Sequence, residues 1–158
     1  MKASLKAFVK TGVFGQIQLR MKRSSVASFL GAPTDWLHSA PSREQSAIWK
    51  YGDVEFHFEN DVLHMIFLDK LRDVKGSRNL ELDLWTLSEG LSLSEAEEHL
   101  AKARVTFRTE KFFYNEGGVL LIARAGTTLS FCNREPRVEK AEGEEEEEPL
   151  LRAVYRRA

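Results

Sequence analysis

One cysteine in 158 residues leaves nothing to pair within the chain, which excludes a disulfide framework and any zinc module built on clustered thiolates. Cys132 is expected in a strand as a small apolar side chain, not as a nucleophile, because apolar surroundings raise a thiol's pKa and silence it. A reducing compartment, the cytoplasm, is the matching expectation. Long hydrophobic runs are missing as well. The strongest, 119–123, is far shorter than the roughly 20 residues of a membrane-spanning helix. Lys6 and Lys10 interrupt Leu5, Phe8 and Val9, so no unbroken secretion core of roughly 7–15 apolar residues can be drawn. The chain also lacks G-x-S-x-G, G-x-G-x-x-G, Walker and H-E-x-x-H patterns, the recurrent signatures of hydrolases, nucleotide sites and metalloproteases. A non-enzymatic protein without cofactor or metal is therefore expected.

What is present is the composition of a globular domain, 42% hydrophobic and 30% charged, enough to bury a core unaided. Net charge is −1, but the charges are unevenly placed. Residues 139–148 carry seven Glu and one Lys, whereas residues 1–138 have a net charge of +2. Self-repelling, core-free runs of this kind stay solvated, so 139–158 is expected to be a disordered acidic tail. A near-neutral body is not the footprint of a phosphate-backbone binder, whose domain pI usually exceeds 9, and nucleic acid is not the expected partner. Residues 1–12, rich in lysine, are expected to be a frayed basic arm.

Between arm and tail, one unit occurs twice. Ile17 and Leu19 alternate with Gln16 and Gln18 as in a short strand, and Val26, Phe29 and Leu30 then form a helical stripe stopped by Gly31 and Pro33. Leu80, Leu82 and Leu84 alternate in turn, followed by a second stripe of Leu93, Ala96, Leu100 and Ala103. Ser92 and Glu95 mark its start as a capping box. A shift of 70 residues places Met21 on Leu91, Ser24 on Ser94, Val26 on Ala96 and Leu30 on Leu100. The expected organisation is a repeat over 13–69, a linker over 70–79 and a second repeat over 80–138. The fold class is α+β: two tandem helix-plus-antiparallel-sheet repeats, with the helices packed on one face of the sheet.

Turn chemistry sets the register of the first sheet. Gly52-Asp53 and Asn60-Asp61 are two-residue hairpin signals between alternating runs. They place Trp49 opposite Phe56, Phe56 opposite Met65, and Val54 with Tyr51 and Phe67, all on a core face. The other face then carries Ile48, Lys50, Glu55, His57, Glu59, Val62, His64 and Ile66, with Lys50 opposite Glu55 and His57 opposite His64. In the second copy, strands are expected near 104–108, 111–115, 118–124 and 127–132, apolar on both faces. One register groups Val105, Phe107, Phe112, Tyr114, Val119 and Leu121 and leaves Phe113, Leu120, Ile122, Leu129 and Phe131 opposite.

The run Gly15-x-Ile17-x-Leu19-x-Met21, then Val26, then Leu30-Gly31-x-Pro33 and Trp49-x-Tyr51-Gly52 resembles the helix-then-sheet repeat of the beta-lactamase inhibitor protein and of the small outer-membrane assembly lipoproteins. The likeness covers about 13–69 and, loosely, 80–132. The chain departs from those families in lacking an export signal, a lipid-attachment cysteine and paired cysteines, and in having Lys22 where a polar cap is usual. The resemblance implies a module that binds another protein through its sheet. Small cytoplasmic bacterial immunity proteins, which cover a toxin's active site, resemble it in general form.

The candidate partner-binding residues are Asp35, Trp36 and His38 in the loop after the first helix, and Lys50, Glu55, His57 and His64 on the sheet. Trp36 reads equally as an interface anchor and as a core plug. His57 and His64 are the one pair able to approach a metal, but no spacing fixes a third ligand, and none is expected. His99 is expected on the solvated side of its helix. The alternative is a small-ligand protein or enzyme with a pocket between the two sheets.

Overall fold

The computed structural model describes residues 1–37, 39–69, 71–88, 90–112, 118–132 and 148–158. It is a mixed α+β fold dominated by one antiparallel sheet. In chain order the elements are β1 (Lys2–Ser4), α1 (Leu5–Thr11), α2 (Arg23–Leu30), β2 (Asp35–Trp36), β3 (Ile48–Tyr51), β4 (Val54–Glu59), β5 (Val62–Leu68), β6 (Glu81–Asp83), α3 (Leu93–Lys102), β7 (Phe107–Phe112), β8 (Gly118–Ala123), β9 (Thr127–Cys132) and β10 (Leu150–Arg157). Eight strands form one sheet in the order β2-β3-β4-β5-β10-β9-β8-β7. β1 and β6 pair in parallel as a separate ribbon.

The two turn signals perform as expected. Tyr51 pairs with Val54 across the first hairpin and Glu59 with Val62 across the second. Trp49 faces Phe56 and Lys50 faces Glu55. Beyond Phe58, however, the expected register fails. Phe58 faces Leu63 but His57 faces Met65, which leaves His64 as the extra residue of a β-bulge. One inserted residue moves every later side chain to the other face. Ile66 and Leu68 therefore lie in the core, and Met65 and Phe67, expected there, lie on the opposite face. The second half departs similarly. The expected strands over 104–108 and 111–115 are replaced by the single strand β7, and Leu129 and Phe131 share the core face with Val119 and Leu121 by direct pairing. Phe113 and Tyr114 lie outside the described residues.

The helices pack on that core face. α1 was not expected: the supposed frayed arm contains a helix whose Leu5, Phe8 and Val9 are fully buried. Phe8 meets Phe14 edge to face, and Phe14 meets Phe56 in the same way. The Thr127 hydroxyl donates to the Phe8 carbonyl at 2.9 Å, joining α1 to β9. α2 has no side-chain cap at Lys22. Instead the Arg23 N–H donates to the Asp61 carbonyl at 3.0 Å, so the β4–β5 turn satisfies a donor that the first helical turn leaves free. α3 has both bonds of the expected capping box.

The largest correction concerns residues 139–158. Leu150–Arg157 is not a disordered tail but a central strand, β10, flanked by β5 and β9. Leu151, Ala153 and Val154 are buried. The glutamate run masks a segment whose own composition is that of a strand, and the burial of its apolar residues outweighs any repulsion along the charged stretch beside it. The remainder of the expected tail, 139–147, lies outside the described residues. The other end of the sheet is an edge of a familiar kind: β7 exposes Arg108, Thr109, Glu110 and Lys111, charges that discourage pairing with another chain.

Candidate functional site

Parity along β3, β4, β5 and β10 puts Lys50, Glu55, His57, Met65, Phe67 and Tyr155 on the face turned away from the helices. The hydrogen bonds, ring contacts and cation stacking that join α1 and α2 to the sheet all involve the other side, through Trp49, Tyr51, Phe56 and Thr127. At the centre of the open face Glu55 is held by two partners. Lys50 Nζ lies 2.6 Å from its Oε1, and His57 Nε2 lies 2.9 Å from its Oε2. Both Glu55 and His57 are mostly covered, with side chains 17% and 18% exposed, whereas Lys50 is 39% exposed. Rings continue the patch: His57 lies 6.2 Å from Phe67, and Phe67 lies 6.1 Å from Tyr155.

The electrostatics follow from this packing. Burial pushes the Glu55 carboxyl up, but the hydrogen bonds from Lys50 and His57 more than offset it and hold the group below its ordinary range. The bond to Glu55 raises the Lys50 ammonium, with burial opposing it. Burial lowers His57, and its bond to Glu55 offsets only part of that. The cluster is thus an ion pair beside an imidazole that burial holds neutral at physiological pH. Both oxygens of the Glu55 carboxylate are therefore engaged, one by Lys50 and one by His57.

The other candidates fall differently. Asp35 faces Lys50 across β2 and β3 and so joins the cluster. Trp36 faces Trp49 and packs against the core, which favours the plug over the anchor. His38 lies outside the described residues. His64, expected directly opposite His57, is the bulged residue; its ring is 6.5 Å from that of His57 and its Nδ1 is buried without a hydrogen-bond partner. Among the described residues no group of three or more His, Cys, Asp or Glu is placed to hold a metal ion. His99 lies 6.3 Å from Trp85. Phe67 and Met65 were missed because a bulge has no sequence signature here. Tyr155 was missed because its strand was read as tail, although Leu150, Leu151, Val154 and Tyr155 stand close together among the arginines there.

Among the described residues the strands of both halves join one eight-stranded sheet, not two. A groove of about 430 Å³ runs beside α2, lined by Arg23, Ala27, Pro33, Trp49 and Asp61 among others. Arg23 is already committed there. Its Nε pairs with Asp61 at 2.8 Å, another nitrogen donates to the Ser46 carbonyl at 2.6 Å, and the guanidinium stacks 4.3 Å from Phe58 and 4.8 Å from Trp49.

No family model matches the chain, and neither a curated protein nor a solved structure matches it significantly. No helix among the described residues is long and apolar enough to cross a membrane.

Proposed function

We propose that the chain is a non-enzymatic protein-binding module, of the immunity or inhibitor type, that engages another protein through the helix-free face of its sheet. The observation that carries the reading is the patch around Glu55: a half-buried ion pair continued by the rings of His57, Phe67 and Tyr155 on a face that neither α1 nor α2 contacts. Aromatic side chains supply contact area, and fixed charges beside them select the partner and speed encounter more than they add affinity. A tandem-repeat origin fits this reading. Each half runs from a helix into four antiparallel strands, and the Leu63 N–H bonds to the Met21 carbonyl as the Leu151 N–H bonds to that of Leu91, both at 2.8 Å. Met21 and Leu91 are related by the 70-residue shift.

The test is co-purification from the source cytoplasm with the wild-type chain and with Tyr155→Ala or Lys50→Glu. One protein should be captured by the wild type, lost with both variants, and inhibited on stoichiometric addition of the wild-type chain. Equal capture by all three would remove the site from this face. A second reading rests on the groove beside α2, whose volume lies in the range of roughly 300–1,000 Å³ typical of small-ligand sites. It takes precedence if Ala27→Trp abolishes ligand-induced thermal stabilisation while capture is unaffected.

A further inference from the structure

Away from the open face, Lys10 in the last turn of α1, Arg104 just after α3 and Arg124 just after β8 line a single cleft of about 220 Å³ together with Val105, Thr106 and Ala125. No carboxylate lines it. Among the described residues none of the three cations makes an ion pair or a side-chain hydrogen bond. The backbone holds them in place: the Arg124 N–H donates to the Thr106 carbonyl at 2.8 Å, and the Val105 N–H to the Leu100 carbonyl at 2.9 Å. Arg104 has φ 56°. It occupies the position after a helix C-cap where glycine is usual, because the left-handed conformation strains an L-residue.

Helix ends alone do not account for this concentration of charge. Two of the cations adjoin helix C-termini, each equivalent to about −0.5 charge, so the two ends neutralise about one of the three positive charges.

We propose that this cleft binds the phosphoryl group of a small phosphate-bearing ligand. Two guanidinium forks and one ammonium match the several acceptor oxygens of a doubly charged phosphoryl group. At about 220 Å³ the cleft is below the size that encloses a whole drug-sized molecule, so it takes the headgroup and leaves the remainder outside. The near-neutral body of the chain, net +2 over residues 1–138, disfavours an extended nucleic acid, which needs many phosphate contacts at once. The proposal is independent of the protein-binding face.

The test is calorimetric titration of the full chain with inorganic phosphate and with diphosphate, slightly above neutral pH and at constant ionic strength. The wild type should bind diphosphate, and Arg124→Gln should weaken it about tenfold or more, the effect of losing a charge-assisted bond. Arg104→Gly is the discriminating variant, since it relieves the left-handed strain and removes the charge. It should melt no lower than the wild type yet lose affinity by a similar factor, whereas Lys111→Gln on β7 should bind unchanged. Absence of binding to either anion would overturn the proposal. So would full affinity in both arginine variants, or binding of a single-stranded oligonucleotide without binding of diphosphate.

Discussion

Phe56 and Phe67 lie on neighbouring strands of one sheet, yet the first ring is sealed between Phe14 and Tyr51 and the second faces outward beside His57 and Tyr155. The core face is made of residues with no accessible surface, such as Tyr51, Phe56, Ile66 and Val154. The outer face has rings of similar size, but each is only partly covered and lies next to a charge. The contrast teaches that burial here is set by where the helices sit, not by local hydrophobicity. Burial even changes what a hydroxyl can do: on the core side Tyr51 donates to the Gly31 carbonyl at 2.8 Å and is pushed up to about 12 by desolvation.

The contrast can be broken most severely at β10. Val154→Asp places a carboxylate between Leu68 and Leu129, and an unpaired buried charge costs several kcal/mol by the effective penalties found in proteins. Near-ultraviolet circular dichroism should show loss of fixed packing, as should deletion of residues 149–158; an unchanged melting temperature would refute the central placement of the strand. Next in size, Phe56→Ala should lose about 3–5 kcal/mol in denaturant unfolding, whereas Phe67→Ala should lose under about 2 kcal/mol because less area leaves water. Equal losses would mean that the outer face is covered.

Deletion of His64 sharpens the comparison. A deletion within a strand ordinarily reverses all later side chains, but removing the bulged residue leaves Leu63 opposite Phe58 and Met65 opposite His57. The variant should fold with a change of about 1 kcal/mol. A larger loss would mean that the bulge itself is structural. The His57 prediction concerns direction. Its folded pKa is lowered, mainly by burial, so the unfolded chain takes up the proton first; the stabilisation is present above the ordinary histidine range and is lost as pH falls through about 6.5 and below. Glu55, also lowered, extends the loss toward lower pH. His57→Gln should flatten the upper part of that decline in melting temperature against pH. The smallest effect belongs to the exposed Glu98–Lys102 pair on α3: Lys102→Ala should leave the melting temperature almost unchanged, because solvent screens an exposed pair.

What could be read from the residues was local. Gly52-Asp53 and Asn60-Asp61 carry their own turn geometry, so both hairpins and the Lys50–Glu55 pair were legible, as was the Ser92 capping box. α1 was legible but passed over: Leu5, Phe8 and Val9 follow helical spacing even though lysines separate them. The bulge was not legible, because it is fixed by how Ile66 and Leu68 meet the helices, a non-local preference. Nor was the place of β10, since Leu150–Arg157 alone contains nothing that specifies β5 and β9 as its neighbours. The candidate site on the outer face was therefore half visible, as Lys50, Glu55 and His57 without Phe67 and Tyr155.

That placement of β10 also orders events in time. On a ribosome, everything from Lys2 to Cys132 can emerge while the slot between β5 and β9 stands open, two unsatisfied strand edges side by side in a nascent chain. Local hairpins can form early, but the sheet cannot close until synthesis has run through Arg157. During that interval the vacant slot would accept the equivalent strand of a neighbouring nascent chain as readily as its own, so exchange between polysome neighbours is the characteristic hazard of this topology.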